Sequence, residues 1–225
     1  MALVNHRDRE VTFKIVYCGT PLGGKTSNLS AIHTRLADNV RGDLISMATG
    51  SDSTVFFDYL HVNTVVINGY STKFQLYTVP GQSQYNATRQ LLLRGADGVI
   101  FVADSHGERM EENLAAFHTM MRNLEANSIR GESFPIVLQY NKRDLPEAAP
   151  VHHMDFLFNS GDRKFPTFEA SALQYVNVVE TLDAVTQIIL EQFHQKTPGG
   201  IQVAPRGVQP AQPEGAGAEA TSTSN

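Results

Sequence analysis

The chain is poor in cysteine, with Cys18 as the single one among its 225 residues. One cysteine cannot form a disulfide within the chain, so the sequence is not that of a small secreted domain held together by disulfides. A reducing compartment suits such a chain. We expect Cys18 to act as a small apolar residue at the end of the first strand.

Long apolar runs and runs of basic residues are also missing. No segment approaches the ~20 apolar residues that cross a bilayer, and the ends of the sequence carry no recognisable signal or lipidation motif. The formal net charge is −5, whereas nucleic-acid-binding proteins usually carry clustered basic residues. We therefore expect a cytoplasmic protein with no integral membrane segment, no lipid anchor and no nucleic-acid partner.

The pattern of the sequence divides it into two parts. Hydrophobic residues make up 41% of the chain, which is enough for a sizeable core. Residues 198–225 contain almost no large apolar side chains, so this segment cannot bury enough surface to offset the entropy of ordering it. We predict one domain over residues 1–197 and a disordered tail, rich in proline, glycine, alanine and serine, over 198–225.

Strand and helix patterns alternate along the predicted domain. The apolar runs 98–104 and 135–140 are typical of strands buried on both faces, whereas residues 178–193 carry apolar side chains at helical spacing. Asn68-Gly69 predicts a hairpin between two earlier strands. This order predicts an α/β fold with a mainly parallel six-stranded sheet, one antiparallel edge strand and helices on both faces.

A glycine-rich segment joins the first predicted strand to the first predicted helix. It fits the phosphate-loop pattern Gly-x-x-x-x-Gly-Lys-Thr, in which glycines let backbone N–H groups converge on phosphate oxygens. Lys25 supplies a positive charge to the phosphates and Thr26 a hydroxyl ligand for Mg²⁺. An ordinary glycine-rich turn is the weaker interpretation, because Lys-Thr and both flanking elements are present. The candidate phosphate-binding residues are Gly19, Leu22, Gly23, Gly24, Lys25, Thr26 and Ser27.

An Asn-Lys-Arg-Asp segment directly follows a predicted buried strand, where ligands gather in parallel sheets. Its last residue, Asp144, can accept hydrogen bonds from two adjacent donors of guanine, a pair that adenine lacks at that edge. Asn141 can reach the base or brace the phosphate loop, and the stem of Lys142 can cover the ring. After a later short strand, a backbone N–H of Ser171 or Ala172 can donate to the guanine carbonyl oxygen.

Two further segments are candidates for sensing the γ-phosphate. In the segment Thr-Val-Pro-Gly-Gln, the N–H of Gly81 can bind that phosphate and Gln82 can orient the attacking water as the catalytic residue. Thr54 precedes the hairpin and can close over Mg²⁺ as a second metal ligand beside Thr26. These assignments depend on the order of the segments along the chain.

With these motifs in place, the sequence resembles the Ras-like small GTPases and, most closely, the bacterial MglA (mutual gliding motility) family. The resemblance covers residues 9–196, and its most specific segments are 76–82, 98–104 and 139–146. Threonine at position 78, where Ras-like proteins usually have aspartate, is a mark of this family. The resemblance implies a Ras-like P-loop G domain that binds GTP or GDP with Mg²⁺ and hydrolyses GTP slowly.

The family also implies a function and partners. The resemblance implies a GTP/GDP molecular switch in bacterial cell polarity or gliding motility. Members of the family pair with a Roadblock-domain GTPase-activating protein of the MglB kind, and their GTP form binds polarity or cytoskeletal effectors. We accordingly expect a cytoplasmic protein that partners recruit to a cell pole or to a membrane-associated complex.

Ser53 and Pro21 depart from the family pattern, and the tail 198–225 is not part of the family core. Ser53 stands where the family usually has an arginine finger, whose loss costs roughly 10³–10⁵ in rate where it operates. Pro21 replaces a glycine beside the γ-phosphate pocket, fixing φ and removing an N–H. Thr78 brings no carboxylate to the metal, a charge that Asp52 or Asp58 can supply if the loops fold inward.

These departures leave two functions open. The first is a hydrolysing switch that needs an activating protein. The second is a hydrolysis-deficient GTP-binding effector or scaffold module. A third interpretation, an ATP-using P-loop kinase, is weakened by the Asn-Lys-Arg-Asp segment and by the absence of a recognisable lid.

Overall fold

The computed structural model describes residues 2–49, 54–67, 69–129 and 133–196. Its strands are β1 (Leu3–Asn5), β2 (Glu10–Gly19), β3 (Ile45–Thr49), β4 (Thr54–Ile67), β5 (Tyr70–Thr78), β6 (Gly98–Asp104), β7 (Ile136–Asn141) and β8 (Thr167–Glu169). Its α-helices are α1 (Lys25–Arg35), α2 (Asn86–Leu93), α3 (Met110–Ala126), α4 (Val151–Phe158) and α5 (Val178–Lys196). Short 3₁₀ turns at Ser83–Tyr85 and Gly107–Arg109 precede α2 and α3.

All of these strands belong to one sheet, in the order β3-β4-β5-β2-β6-β7-β8, with β1 beside the first part of β2. Strands β5, β2, β6, β7 and β8 run parallel, whereas β1, β3 and β4 pair antiparallel with their neighbours. The predicted fold class is confirmed. The described sheet has eight strands rather than six, because the short strands β1 and β3 are held by pairing and carry too few residues for a clear pattern.

Two helical layers cover the sheet, as predicted. Helices α1 and α5 pack on one face, where Leu29 and Val185 belong to the same apolar cluster. Helices α2, α3 and α4 pack on the other face around Phe101 and Phe117. Strands β6 and β7 are buried along their whole length because both of their faces are covered.

The hairpin between β4 and β5 turns as tightly as the sequence predicts. Ile67 pairs with Tyr70, so only two residues connect the strands. Gly69 has a φ of +78°, a conformation that glycine adopts without strain. Because β4 returns antiparallel to β5, its first half approaches the sheet edge where β5 ends.

The parallel strands all end at one edge of the sheet, and the predicted motifs occupy the loops that follow them. Strands β2, β5 and β7 end at Gly19, Thr78 and Asn141. This arrangement brings segments far apart in sequence into one site.

The predicted disordered tail, 198–225, lies outside the described residues, so the domain boundary at 197 stays a prediction. None of the helices in the described ranges has the length and apolar content that a membrane crossing needs.

Candidate functional site

Two glycines of the phosphate loop are required by the close approach of a backbone or a side chain. Gly19 has a φ of +143°, and a Cβ there would lie 2.1 Å from the carbonyl oxygen of Val102. Gly24 has a φ of +101°, and a Cβ there would lie 2.1 Å from Nδ2 of Asn141. Larger residues at either position would separate the loop from the strands that support it.

The middle of the loop is a hydrogen-bonded turn. The Gly23 N–H donates to the Thr20 carbonyl at 3.2 Å, with Pro21 second in the turn and Leu22 third. Leu22 has a φ of +59°, and proline followed by a residue of positive φ defines a type II turn. Proline therefore suits its position, whereas Leu22 carries the strain, about 1–2 kcal/mol for a non-glycine residue. Its side chain is 87% exposed.

Lys25 places its ammonium group inside the loop. The side chain is buried, and Nζ donates to the carbonyl oxygens of Gly19 at 3.2 Å and Thr20 at 2.6 Å. Burial lowers the pKa of Lys25 to about 8. A polyanionic ligand beside Nζ would favour the charged form again, because an opposite charge offsets the cost of desolvation.

A buried carboxylate lies next to the hydroxyl of Thr26. Thr26 Oγ1 donates to Oδ2 of Asp58 at 2.5 Å, and Thr78 Oγ1 donates to the same oxygen at 3.0 Å. Ser46 Oγ donates to the other oxygen, Oδ1, at 2.7 Å. The Asp58 N–H in turn donates to Thr78 Oγ1 at 2.7 Å, which fixes the two strands in register. Asp58 thus brings a carboxylate to the place where Thr78 lacks one.

These oxygen donors fit Mg²⁺, which usually takes one or two carboxylates together with water and ligand phosphates. Thr26 and Asp58 offer a hydroxyl and a carboxylate at adjoining positions. Across the described ranges, no cluster of three or more His, Cys, Asp or Glu side chains is placed to hold a metal without help. Thr54 opens β4 opposite Thr49, and its role as a metal ligand stays a prediction.

Asn141 connects the loop after β7 with two other loops. Its Nδ2 donates to the carbonyl of Gly23 at 2.9 Å, and its Oδ1 accepts from the Ala172 N–H at 2.9 Å. Of the two roles open to it from sequence, the structure has Asn141 bracing the phosphate loop. The phosphate-binding and base-binding segments therefore form one connected unit.

The other predicted base-binding residues lie together beside this brace. Ser171 Oγ donates to Oδ1 of Asp144 at 2.5 Å, and Lys142 Nζ donates to Oδ2 of Asp104 at 2.7 Å. The Ser171 N–H donates to the Val176 carbonyl at 3.1 Å. Both backbone N–H groups proposed for the guanine oxygen thus have protein acceptors, and that assignment stays a prediction. Ser27, in the first turn of α1, is exposed.

The phosphate loop and the segment that follows β5 together line a cavity of about 390 Å³. Lys25, Thr26, Asp58 and Gln82 line it. Gln82 is exposed, and its Oε1 accepts from Nε2 of Gln84 at 3.2 Å. The predicted catalytic residue therefore shares one cavity with the predicted phosphate and metal ligands.

Gly81 lies directly against the phosphate loop. A Cβ at this position would be 2.3 Å from the backbone nitrogen of Pro21 and 2.6 Å from its Cα. Only glycine allows so close an approach of two backbones. The contact joins the segment carrying Gln82 to the loop carrying Lys25.

Two arginines support these segments, and sequence reasoning did not identify their roles. Arg89 of α2 donates through Nη1 to the carbonyls of Pro80, at 3.1 Å, and Gln82. Arg109 donates through Nη2 to the Pro21 carbonyl at 2.8 Å. Neither arginine belongs to a motif, since each contact depends on how the helices pack. Asp52 and Ser53 lie outside the described residues.

Comparison with known proteins agrees with this geometry. The family model described as the Ras family matches residues 14–191. The "Mutual gliding-motility protein MglA" of Myxococcus xanthus is 44% identical over 193 residues, covering 86% of this chain and 98% of the relative. The "GTP-binding protein Rab-3D" of Rattus norvegicus is 28% identical, over 81% of this chain and 76% of the relative. The "Ypt/Rab-type GTPase ypt7" of Schizosaccharomyces pombe is 24% identical, covering 80% and 83%.

Proposed function

Because the chain belongs to the Ras family and is an MglA-like small GTPase, we propose that it is a GTP/GDP switch in bacterial cell polarity or gliding motility. The observation that carries the guanine-nucleotide site is the link made by Asn141 between the phosphate loop and the base-binding loop. A ligand that fills both loops must offer a phosphate chain at one end and a base at the other.

Each end of the proposed ligand meets groups of matching chemistry. Lys25 neutralises phosphate charge, and the N–H groups of Leu22 and of residues 24–26 donate to phosphate oxygens. Asp144 accepts from the two adjacent guanine donors, and adenine offers no such donor pair to that carboxylate. Lys142, whose ammonium group is held by Asp104, would cover the base with its stem.

We assign the metal position to Thr26 and Asp58, with Thr54 joining them from the start of β4. Mg²⁺ bound there would neutralise charge on the β- and γ-phosphates. The hydrogen bond between Thr26 and Asp58 supports this assignment because both groups are oxygen donors of the kind that Mg²⁺ prefers.

An Asp58→Asn variant is expected to need about tenfold more Mg²⁺ for slow GDP release, since it loses the negative charge near the metal. The measurement is the rate of dissociation of a fluorescent GDP analogue as a function of Mg²⁺ concentration. Adding Thr78→Asp to Asp58→Asn is expected to restore part of the response, because Thr78 Oγ1 lies 3.0 Å from the Asp58 carboxylate. Asp43→Asn, at an exposed position, is the control. An Asp58→Asn response equal to wild type would exclude this carboxylate from the metal site.

We propose that hydrolysis is slow and depends on an activating protein. Gln82 orients the attacking water and the Gly81 N–H binds the γ-phosphate, while Arg89 holds the carbonyls on both sides of Gly81. Ser53 has no charge to stabilise the transition state, so an arginine must come from elsewhere. A partner that inserts one would supply it.

Single-turnover GTP hydrolysis tests this proposal, with and without a Roadblock-domain protein. Ser53→Arg is expected to raise the unaided rate, up to about 10³-fold, whereas Gln82→Ala lowers the aided rate by about 10²-fold. Gln187→Ala, at an exposed position of α5, is the matched control because it makes the same chemical change away from the site. If wild type releases no phosphate under any condition, the protein is a GTP-binding effector or scaffold module. Gln82→Ala hydrolysing as fast as wild type would remove Gln82 from its role.

The proposed partners follow from the likeness to MglA. We propose a Roadblock-domain GTPase-activating protein of the MglB kind, and polarity or cytoskeletal effectors that bind the GTP form. The protein would reside in the cytoplasm and reach a cell pole or a membrane-associated complex through these partners. The 44% identical relative is a gliding-motility protein by name, which supports this setting.

A further inference from the structure

We propose that Arg109 is a positioning residue of the phosphate loop: its guanidinium holds the Pro21–Leu22 peptide in the orientation that a bound phosphate needs. The inference rests on the proposed nucleotide site, because it assigns the Leu22 N–H to a phosphate oxygen. No sequence motif includes Arg109, which lies 88 residues from Pro21 in the chain.

The guanidinium of Arg109 is held from several sides. Its Nη2 donates to the Pro21 carbonyl at 2.8 Å and its Nη1 donates to Oε1 of Glu112 at 2.8 Å. Its Nε lies 3.9 Å from Oδ2 of Asp104, the carboxylate that also accepts from Lys142. The side chain is 27% exposed, so the contact with Pro21 is partly protected from water. A fork of this kind can fix the direction of a carbonyl group, which a flexible ammonium does less well.

The direction of the Pro21 carbonyl decides where the next N–H points. A trans peptide is planar, so its C=O and N–H point in opposite directions. With its carbonyl held toward Arg109, this peptide turns the Leu22 N–H away from Arg109, and Leu22 itself lines the cavity together with Lys25 and Thr26. There it can donate to a phosphate.

Leu22 favours the opposite orientation. Its φ of +59° is unfavourable for a leucine, and rotation of the peptide plane to a type I turn would return Leu22 to negative φ. The same rotation would remove the Leu22 N–H from the cavity side. The hydrogen bond from Arg109 opposes this rotation, because a type I turn would turn the Pro21 carbonyl away from it. Arg109 therefore offsets the strain that Leu22 brings to the loop.

The test is the dissociation rate of a fluorescent GDP analogue from the full chain. Arg109→Gln is expected to release it about tenfold faster than wild type, the effect of one hydrogen bond from a charged donor. Arg122→Gln, which removes the same charge from an exposed position of α3, is expected to leave the rate unchanged. A rate for Arg109→Gln equal to that of wild type would overturn the proposal.

A second substitution separates positioning from a general structural role. Glycine adopts positive φ without strain, so Leu22→Gly is expected to recover most of the tenfold loss when it is combined with Arg109→Gln. If Arg109 only stabilises the fold, Leu22→Gly recovers nothing, and the melting temperature falls in step with the release rate. That outcome would also overturn the proposal.

The design keeps two failures apart. If the wild-type protein binds no guanine nucleotide, the proposed function is wrong. If the wild-type protein binds GDP tightly and Arg109→Gln releases it at the same rate, only the positioning role of Arg109 is wrong. Should Arg109→Gln not fold, Arg109→Lys takes its place in both comparisons. It is expected to release GDP about threefold faster, because the single ammonium keeps part of the contact. An unchanged rate in that variant overturns the proposal.

Discussion

Asp144→Asn is expected to weaken GTP and GDP binding about 10³-fold and to make xanthine nucleotides the better ligands. The variant loses a carboxylate that accepts two hydrogen bonds from guanine, each worth about 1.5–3 kcal/mol when the acceptor is charged. Xanthine carries a carbonyl in place of the exocyclic amine, so the asparagine NH₂ group can donate to it. Equilibrium titration with fluorescent GDP and XDP measures the reversal.

The contact between Ser171 and Asp144 should survive in the variant, so that a change in binding reports on the base rather than on the fold. The hydroxyl donates to Oδ1 at 2.5 Å, and an asparagine carbonyl oxygen can accept the same bond. The variant should therefore keep its loop and fold. Asp162→Asn makes the identical chemical change at an exposed position and is expected to bind GDP as wild type does. Asp144→Asn with undiminished GDP affinity would show that another group reads the base.

Gly81→Ala is expected to lower single-turnover GTP hydrolysis by about 10²-fold, comparable to the loss of one preorganised donor. The added methyl group would lie 2.3 Å from the Pro21 nitrogen, so the segment carrying Gln82 must move away from the phosphate loop. GDP binding is expected to change far less, because GDP has no γ-phosphate for this segment to meet. Hydrolysis and fluorescent-nucleotide binding, measured on the same preparation, separate the two effects.

Gly161→Ala is the matched control for this variant. A Cβ at position 161 meets no atom within 4 Å, so both hydrolysis and binding are expected to equal those of wild type. If Gly81→Ala hydrolyses GTP at the wild-type rate, the contact between Gly81 and Pro21 has no part in the reaction.

The sequence predicted the parts of the site that local chemistry determines. Lys25 and Asp144 belong to segments in which several neighbouring residues are constrained together, and each segment follows a buried strand. The structure brings both segments to one edge of the sheet because parallel strands end on the same side. Gly19 and Gly24 were also predictable, since close approach to a backbone or side chain leaves room for no larger residue.

The supporting contacts could not be predicted with the same certainty. Asp58 was one of two candidates, and only the pairing of β4 with β5 brings its carboxylate to Thr26, 32 residues away. Arg89 and Arg109 act through backbone carbonyls, which any residue can offer. Their contacts therefore depend on helix packing rather than on a pattern of residue types.

Short elements account for the differences in the fold. Helix α4 covers residues for which the sequence pattern predicts no helix, among them His152 and His153. Both histidines are exposed, while Met154 and Phe158 of the same helix are buried. Two buried side chains in eight residues are too few to predict a helix from spacing alone.

The two hydrogen bonds of Asn141 have a consequence for how the protein exchanges its nucleotide. Because the side chain of Asn141 bonds to both Gly23 and Ala172, a displacement of either loop weakens the hydrogen bond that Asn141 makes with the other. Base and phosphates should therefore leave together rather than in separate steps. We therefore expect that displacing either loop alone is enough to release the whole nucleotide, because the amide of Asn141 transmits the displacement to the other loop.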